Sequence, residues 1–212
     1  MPASKPQIRS LFPTPLTIHY LPVAQDVNLA LRPLIAERAA ASSVAATDGQ
    51  GWRSDPDLEA WGGEPVQTLF RVARDLADGL TSTRAGGRVT LPWTIEACAT
   101  LRQKGEHRES AARPGAYWSG VYYVDDGYAK SDDEALGGEC ELADPRGPVP
   151  AMMAPHYAFR IPGGLTAGQT ELIRPQSGMI VLHPSWLARG ERRHDGEAGR
   201  VTVEFDMMVP AA

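Results

Sequence analysis

The stretch Arg200-Val201-Thr202-Val203-Glu204-Phe205-Asp206 alternates strictly between polar and apolar side chains. As a β-strand it turns Arg200, Thr202, Glu204 and Asp206 to one face and the apolar residues to the other. The guanidinium on that face is a permanently charged fork suited to carboxylate or phosphate. Two carboxylates beside it, in an enclosed site that tunes their pKa, are candidates for acid/base work. A different chemistry is suggested by His107-Arg108-Glu109, which has the His-x-Glu spacing of two metal ligands, with His183 or His194 as a candidate third ligand. The plainer reading of His107–Glu109 is an exposed polar turn. Cys98 and Cys140 show no CxxC spacing and read as buried thiols, not as redox or catalytic groups.

Composition narrows what such residues can serve. The chain has 212 residues, 22.9 kDa and a formal charge of -5, enough for one domain whose core needs no disulfide or metal staple. Its 21 basic residues are 18 Arg and only Lys5, Lys104 and Lys130, a skew for which the codon habit of a GC-rich genome is the first explanation. An acidic pI near 5.5 without a Lys/Arg run argues against nucleic acid or a membrane surface as partner. No stretch approaches a membrane span, and Met1-Pro2-Ala3-Ser4-Lys5 lacks the apolar core of a signal peptide. A cytoplasmic protein is the expectation, with a homodimer as the commonest assembly.

The elements that would position these groups follow from pattern. Residues 8–22 carry β-branched and aromatic residues between prolines and predict an opening strand. Asp26 looks like the N-cap of a helix through about Ala41, and 65–80 places Leu69, Val72, Ala73 and Leu76 at helical spacing. Residues 43–61 read as a polar loop between them. Beyond Gly86 the period becomes two, with strands predicted at 88–91, 94–102, 117–124, 138–142, 157–161, 170–174, 179–183 and 200–209. The 21 Gly and 18 Pro, and turns such as Asp125-Asp126-Gly127 and Asp144-Pro145-Arg146-Gly147, favour this strand-rich reading. The whole predicts one α+β domain over 1–212, in which 1–86 is a strand plus helical support and 87–212 a jelly-roll core with two helices packed on one sheet. Its ligand would sit in the mouth of the barrel.

The segment Arg113-Pro114-Gly115-Ala116-Tyr117-Trp118-Ser119-Gly120-Val121-Tyr122-Tyr123-Val124 resembles the core of a small bacterial family of 2-oxoglutarate/iron(II) oxygenases. Leu11-Phe12-Pro13-Thr14-Pro15-Leu16, Ala143-Asp144-Pro145-Arg146-Gly147-Pro148 with Ala154-Pro155-His156, and Gly178-Met179 through Pro184-Ser185-Trp186-Leu187 agree with it in order. The resemblance implies a double-stranded β-helix and a facial triad of H-x-H before the Ser-Gly-Val-Tyr-Tyr-Val core and a His after Ser-Trp-Leu. At those three places this chain has Ala111, Arg113 and Arg189, and neither residue type is an ordinary metal ligand. The resemblance also implies that Arg200 and Thr202 are the pair that grips the distal carboxylate of 2-oxoglutarate. His107 lies four positions before the place the resemblance assigns to a ligand, about 13 Å along a strand, which disfavours a relocated metal site.

Three functions remain. The leading one is an oxygenase-like protein without the usual iron triad, binding or converting a small anionic molecule. Arg200 and Thr202 would hold one end of that molecule and Arg113 and Arg189 the other, with Glu204, Asp206 or His183 as acid/base groups and no cofactor. The second is a catalytically silent pseudo-oxygenase in which Arg–carboxylate pairs fill the vacated site. The third is an active oxygenase holding iron(II) and 2-oxoglutarate through relocated ligands.

Overall fold

The computed structural model describes residues 7–42, 49–148, 152–164 and 167–210; the start Met1–Lys5 and part of the 43–61 loop lie outside them. In chain order the elements are β1 (Thr17–Tyr20), α1 (Ala24–Ala41), β2 (Trp52–Arg53), α2 (Leu58–Trp61), α3 (Gly63–Leu80), β3 (Thr94–Arg102), β4 (Arg108–Ala111), β5 (Trp118–Asp125), β6 (Cys140–Ala143), β7 (Thr170–Ile173), β8 (Met179–Pro184), β9 (Arg189–Glu191) and β10 (Arg200–Met208), with a 3₁₀ turn at Glu134–Leu136. They form a six-stranded sheet, β1-β8-β5-β10-β3-β2, and a four-stranded sheet, β4-β9-β6-β7. Every strand pair is antiparallel.

Period-two patterning decides what each face of the large sheet meets. On β10, Val201, Val203, Phe205 and Met207 pack in one cluster with Ala97 and Ala99 of β3, Trp118 and Tyr122 of β5, and Ile180 and Leu182 of β8. Val27, Leu31 and Ile35 of α1 and Val66, Leu69, Phe70, Ala73 and Ala77 of α3 complete this core. Two helices thus cover one sheet, as the sequence pattern predicts. A second cluster, including Val121, Tyr123, Cys140, Leu142, Met179 and Val181, fills part of the space between the sheets, because these residues alternate with the first set. Both cysteines are free and buried.

Several boundaries differ from the sequence expectations. The opening strand spans only four residues, and Val23, not Asp26, precedes α1, without a side-chain cap. No strand forms at 88–91, where a single bridge joins Ser82 to Arg88, or at 157–161, where Tyr157 and Phe159 are exposed. The N-terminal part contributes two strands besides its helices, since β1 and β2 are the two edges of the large sheet. Strands β4 and β9 were not anticipated; their charged sequences resemble turns.

Gly120 sits on β5 opposite Phe205. A Cβ there would lie 2.4 Å from the Phe205 ring, so the site admits only glycine without repacking. Gly120→Ala is expected to cost about 1–3 kcal/mol, a fall of roughly 3–10 °C in melting temperature for a chain of this size. Thermal unfolding followed by circular dichroism measures it, and an unchanged midpoint would mean that the ring can move aside freely.

Candidate functional site

The polar residues of β10 turn inward between the sheets, together with every second residue of β3, β5 and β8. They meet charged residues from β4 and β9 of the small sheet, and the result is a buried ionic cluster. Its centre is Glu204. One carboxylate oxygen, Oε1, takes Arg102 Nη2 at 3.0 Å, Arg108 Nε at 3.0 Å and Arg189 Nη2 at 3.1 Å; the other, Oε2, takes Arg53 Nη1 at 3.2 Å. Glu191 is the second anion: its Oε1 accepts from Arg189 Nη1 at 3.0 Å and from the Tyr123 hydroxyl at 3.1 Å, and its Oε2 from Arg102 Nη1 at 3.1 Å. Arg102 and Arg189 therefore bridge the same two carboxylates in a closed ring. Although burial opposes it, the guanidiniums of Arg189, Arg108, Arg102 and Arg53 hold Glu204 well below the usual carboxylate range, and Arg102 and Arg189 lower Glu191 likewise.

In front of this ring lies a small cavity of about 10 Å³, room for one water. Its walls include Arg53, Arg108, Ala111, Arg113, Ser119, His183, Arg189, Glu204 and Asp206. Of the residues singled out in the sequence, Ala111, Arg113, Arg189, His183, Glu204 and Asp206 therefore converge. The β4–β9 pairing sets Ala111 opposite Arg189. Arg113 holds the outer side loosely, 3.9 Å from Glu204 and 3.8 Å from Asp206, with its side chain 32% exposed. Asp206 accepts a 2.6 Å hydrogen bond from Ser119 Oγ. Arg108 donates to the Arg189 carbonyl; burial and the Arg189 charge bring it down to about 10. His183 is buried, and its desolvation together with Arg189 pushes it down to about 4.

Arg200 and Thr202 are not brought to this cavity. Arg200 is 1% exposed and donates to the carbonyls of Asp126 and Gly138, with its guanidinium 5.1 Å from the Tyr128 ring centre. Thr202 Oγ1 lies 2.6 Å from Thr100 Oγ1, which in turn accepts from Arg102. His194, a candidate third ligand in the sequence, is 1% exposed, with Nε2 near the carbonyls of Gly127 and Ala198. One further expectation is corrected. His107–Glu109 is not a plain exposed turn, because Arg108 enters the cluster. Sequence reasoning missed Arg53, Arg102, Arg108 and Glu191. Two of them had a signal in the same period of two: Arg102 follows Cys98 and Thr100 on β3, and Glu191 follows Arg189 on β9.

Two antiparallel sheets facing each other, with helices against the larger, define a double-stranded β-helix. The chain is similar in fold to a prolyl-4-hydroxylase from Pseudomonas putida, at 13% identity over 92% of this chain and 93% of that one, with a TM-score of 0.62. It is also similar to a Trichoplax adhaerens prolyl hydroxylase solved with a hypoxia inducible factor peptide fragment, at 10% identity, 92% and 83% coverage and a TM-score of 0.60. For AviO1 from Streptomyces viridochromogenes Tue57 the figures are 14%, 93%, 90% and 0.60. No curated protein sequence matches the chain. Residues 97–206 match the family model described as "Putative 2OG-Fe(II) oxygenase"; this is just over half of the chain, and the protein belongs to that family.

Such a family implies iron(II) and 2-oxoglutarate. Alanine and arginine offer iron no ordinary ligand, and both Glu204 oxygens are engaged by guanidiniums. Among the described residues no three His, Cys, Asp or Glu side chains are grouped so that they could hold a metal ion. The donor set does not fit iron, and a water-sized cavity does not admit 2-oxoglutarate while Arg113 stays in place. Among the described residues no helix is long and apolar enough to cross a membrane.

Proposed function

We propose that this chain works without iron and binds a small carboxylate or phosphate anion at the arginine-lined cavity. One observation carries the reading: four guanidiniums, those of Arg53, Arg108, Arg113 and Arg189, line the cavity against only the two carboxylates Glu204 and Asp206. The ring behind it, where Arg102 is matched by Glu191, adds no compensating negative charge. Unmatched cations in a partly desolvated cleft favour a diffusible anion. Arg113 is the side chain free to move for it, because its contacts are loose. Proton transfer in such a site falls to His183 or Asp206, since Glu204 is held ionised by its guanidiniums. The partner is thus a small anionic molecule, and the chemistry one that needs no metal.

The water-sized volume favours a second reading, a silent pseudo-oxygenase whose former site is packed shut by ion pairs. Metal analysis of the purified protein, beside a thermal-shift screen of small carboxylates, phosphate and 2-oxoglutarate, separates the two. The anion reading expects far less than one iron per chain, no 2-oxoglutarate turnover and a stabilisation of a few degrees at anion concentrations well above Kd. Absence of any shift with every anion favours the silent module. Stoichiometric iron with 2-oxoglutarate turnover overturns both.

A further inference from the structure

His183 gives the cavity a feature that an anion alone does not explain. The residue is 1% exposed and lines the cavity. Its Nδ1 lies 2.9 Å from the Pro184 carbonyl oxygen, and because a carbonyl only accepts, Nδ1 must carry the proton. Nε2 is then a bare lone pair, and it is buried with no hydrogen-bond partner among the described residues. Burial and the groups around the ring keep it so: Arg189 of β9 and Arg108 of β4 both act against its protonation. Ser119 is its neighbour on β5 but is engaged with Asp206 of β10. Leaving a buried acceptor unsatisfied is costly, so an occupant that satisfies it gains over one that does not.

Resting on the anion reading above, we infer that the site selects a small oxyanion carrying its own hydroxyl, whose anionic oxygens meet Arg108, Arg113 and Arg189 while the hydroxyl donates to His183 Nε2. A 2-hydroxycarboxylate and hydrogen phosphate share this chemistry. A 2-oxocarboxylate and sulfate offer the same anionic oxygens without a donor. A keto acid such as 2-oxoglutarate would therefore be the poorer ligand, the reverse of what the family name suggests.

Calorimetric titration of the full chain at pH 7.5 with matched probes tests this: lactate against pyruvate, 2-hydroxyglutarate against 2-oxoglutarate, and phosphate against sulfate. The hydroxyl-bearing member of each carboxylate pair is expected to bind roughly tenfold or more tightly. The phosphate pair tells whether a phosphate or a carboxylate head is the better source of the same groups. His183→Leu is expected to remove the preference within each pair. Equal affinities within all three pairs in the unaltered protein overturn the inference and leave the anion reading intact. Failure of every probe to bind overturns that reading itself. The unaltered protein alone decides the matter if His183→Leu does not fold.

Discussion

Replacing Glu204 by alanine is expected to lower the stability of the protein by roughly 3–5 kcal/mol, the size seen when one partner of a buried charge pair is removed. Its side chain is 5% exposed and takes three nearly buried guanidiniums, Arg102, Arg108 and Arg189, on a single oxygen. Without it those cations face each other with only Glu191 between two of them. For a chain of this size the loss corresponds to a melting temperature lower by about 6–20 °C. Glu204→Gln keeps the volume and removes only the charge, so it isolates the electrostatic part. Urea unfolding at pH 7 measures both, and a loss below about 1 kcal/mol for the glutamine variant would mean that the cluster relaxes or recruits a solvent anion. The pH dependence has a definite sign. The folded-state pKa of Glu204 is depressed and that of an unfolded glutamate is about 4.3. Between these values the unfolded chain binds more protons, so stability rises with pH. The Glu204 contribution is complete above about pH 4.3 and is lost as pH falls through the folded value. The parent therefore loses stability in acid more steeply than Glu204→Gln does.

The helices and central strands are legible because their apolar residues recur at the periods that packing imposes. Val27, Leu31 and Ile35 are four apart and all three are buried; Val201, Val203, Phe205 and Met207 alternate and all four enter the helix-facing core. The two missed strands share one physical source. Strands β4 and β9 point charges inward, Arg108 from one and Arg189 and Glu191 from the other. A hydrophobic pattern cannot announce a strand whose buried face is ionic. The opposite error occurs at 157–161, where Tyr157 and Phe159 look like strand residues but form no strand and are exposed.

The site was legible in composition and not in pairing. Alternation along β10 places Glu204 and Asp206 inside, and the motif spacing brings Ala111, Arg113 and Arg189 to the same cavity. Which arginine meets which carboxylate depends on strand register and on reach across the barrel. The tight contacts to Glu204 come from Arg102, which is four positions from it in the β3–β10 register, and from Arg108 and Arg189 across the barrel. Arg53 arrives from the two-residue edge strand β2, which no periodicity can signal. Several of the protein's 18 arginines thus have a structural use beyond codon habit, although each had to be located by the fold.

Arg200 is where sequence and geometry diverge most, and Arg200→Ala is the variant that separates them. As the anion grip of the barrel, Arg200 would be dispensable for folding and required for binding. In the structure it is one of the largest fully buried side chains and ties the loop after β5 to the start of β10 through the carbonyls of Asp126 and Gly138. Gly138 permits this approach: its φ is +78°, and a Cβ there would lie 2.6 Å from Arg200 Nη2. Hydrogen bonds from a charged donor contribute about 1.5–3 kcal/mol each, and truncation also leaves a cavity. A loss of roughly 3–5 kcal/mol is therefore expected, with faster amide exchange in the 126–138 loop. Arg200→Lys keeps the charge but cannot span both carbonyls, so it should fall between the parent and Arg200→Ala. Anion affinity at the Arg113–Arg189 cavity should survive in Arg200→Lys within a few-fold, because Arg200 does not line it. The opposite outcome, full stability of Arg200→Ala with anion binding abolished, would return this guanidinium to the binding site.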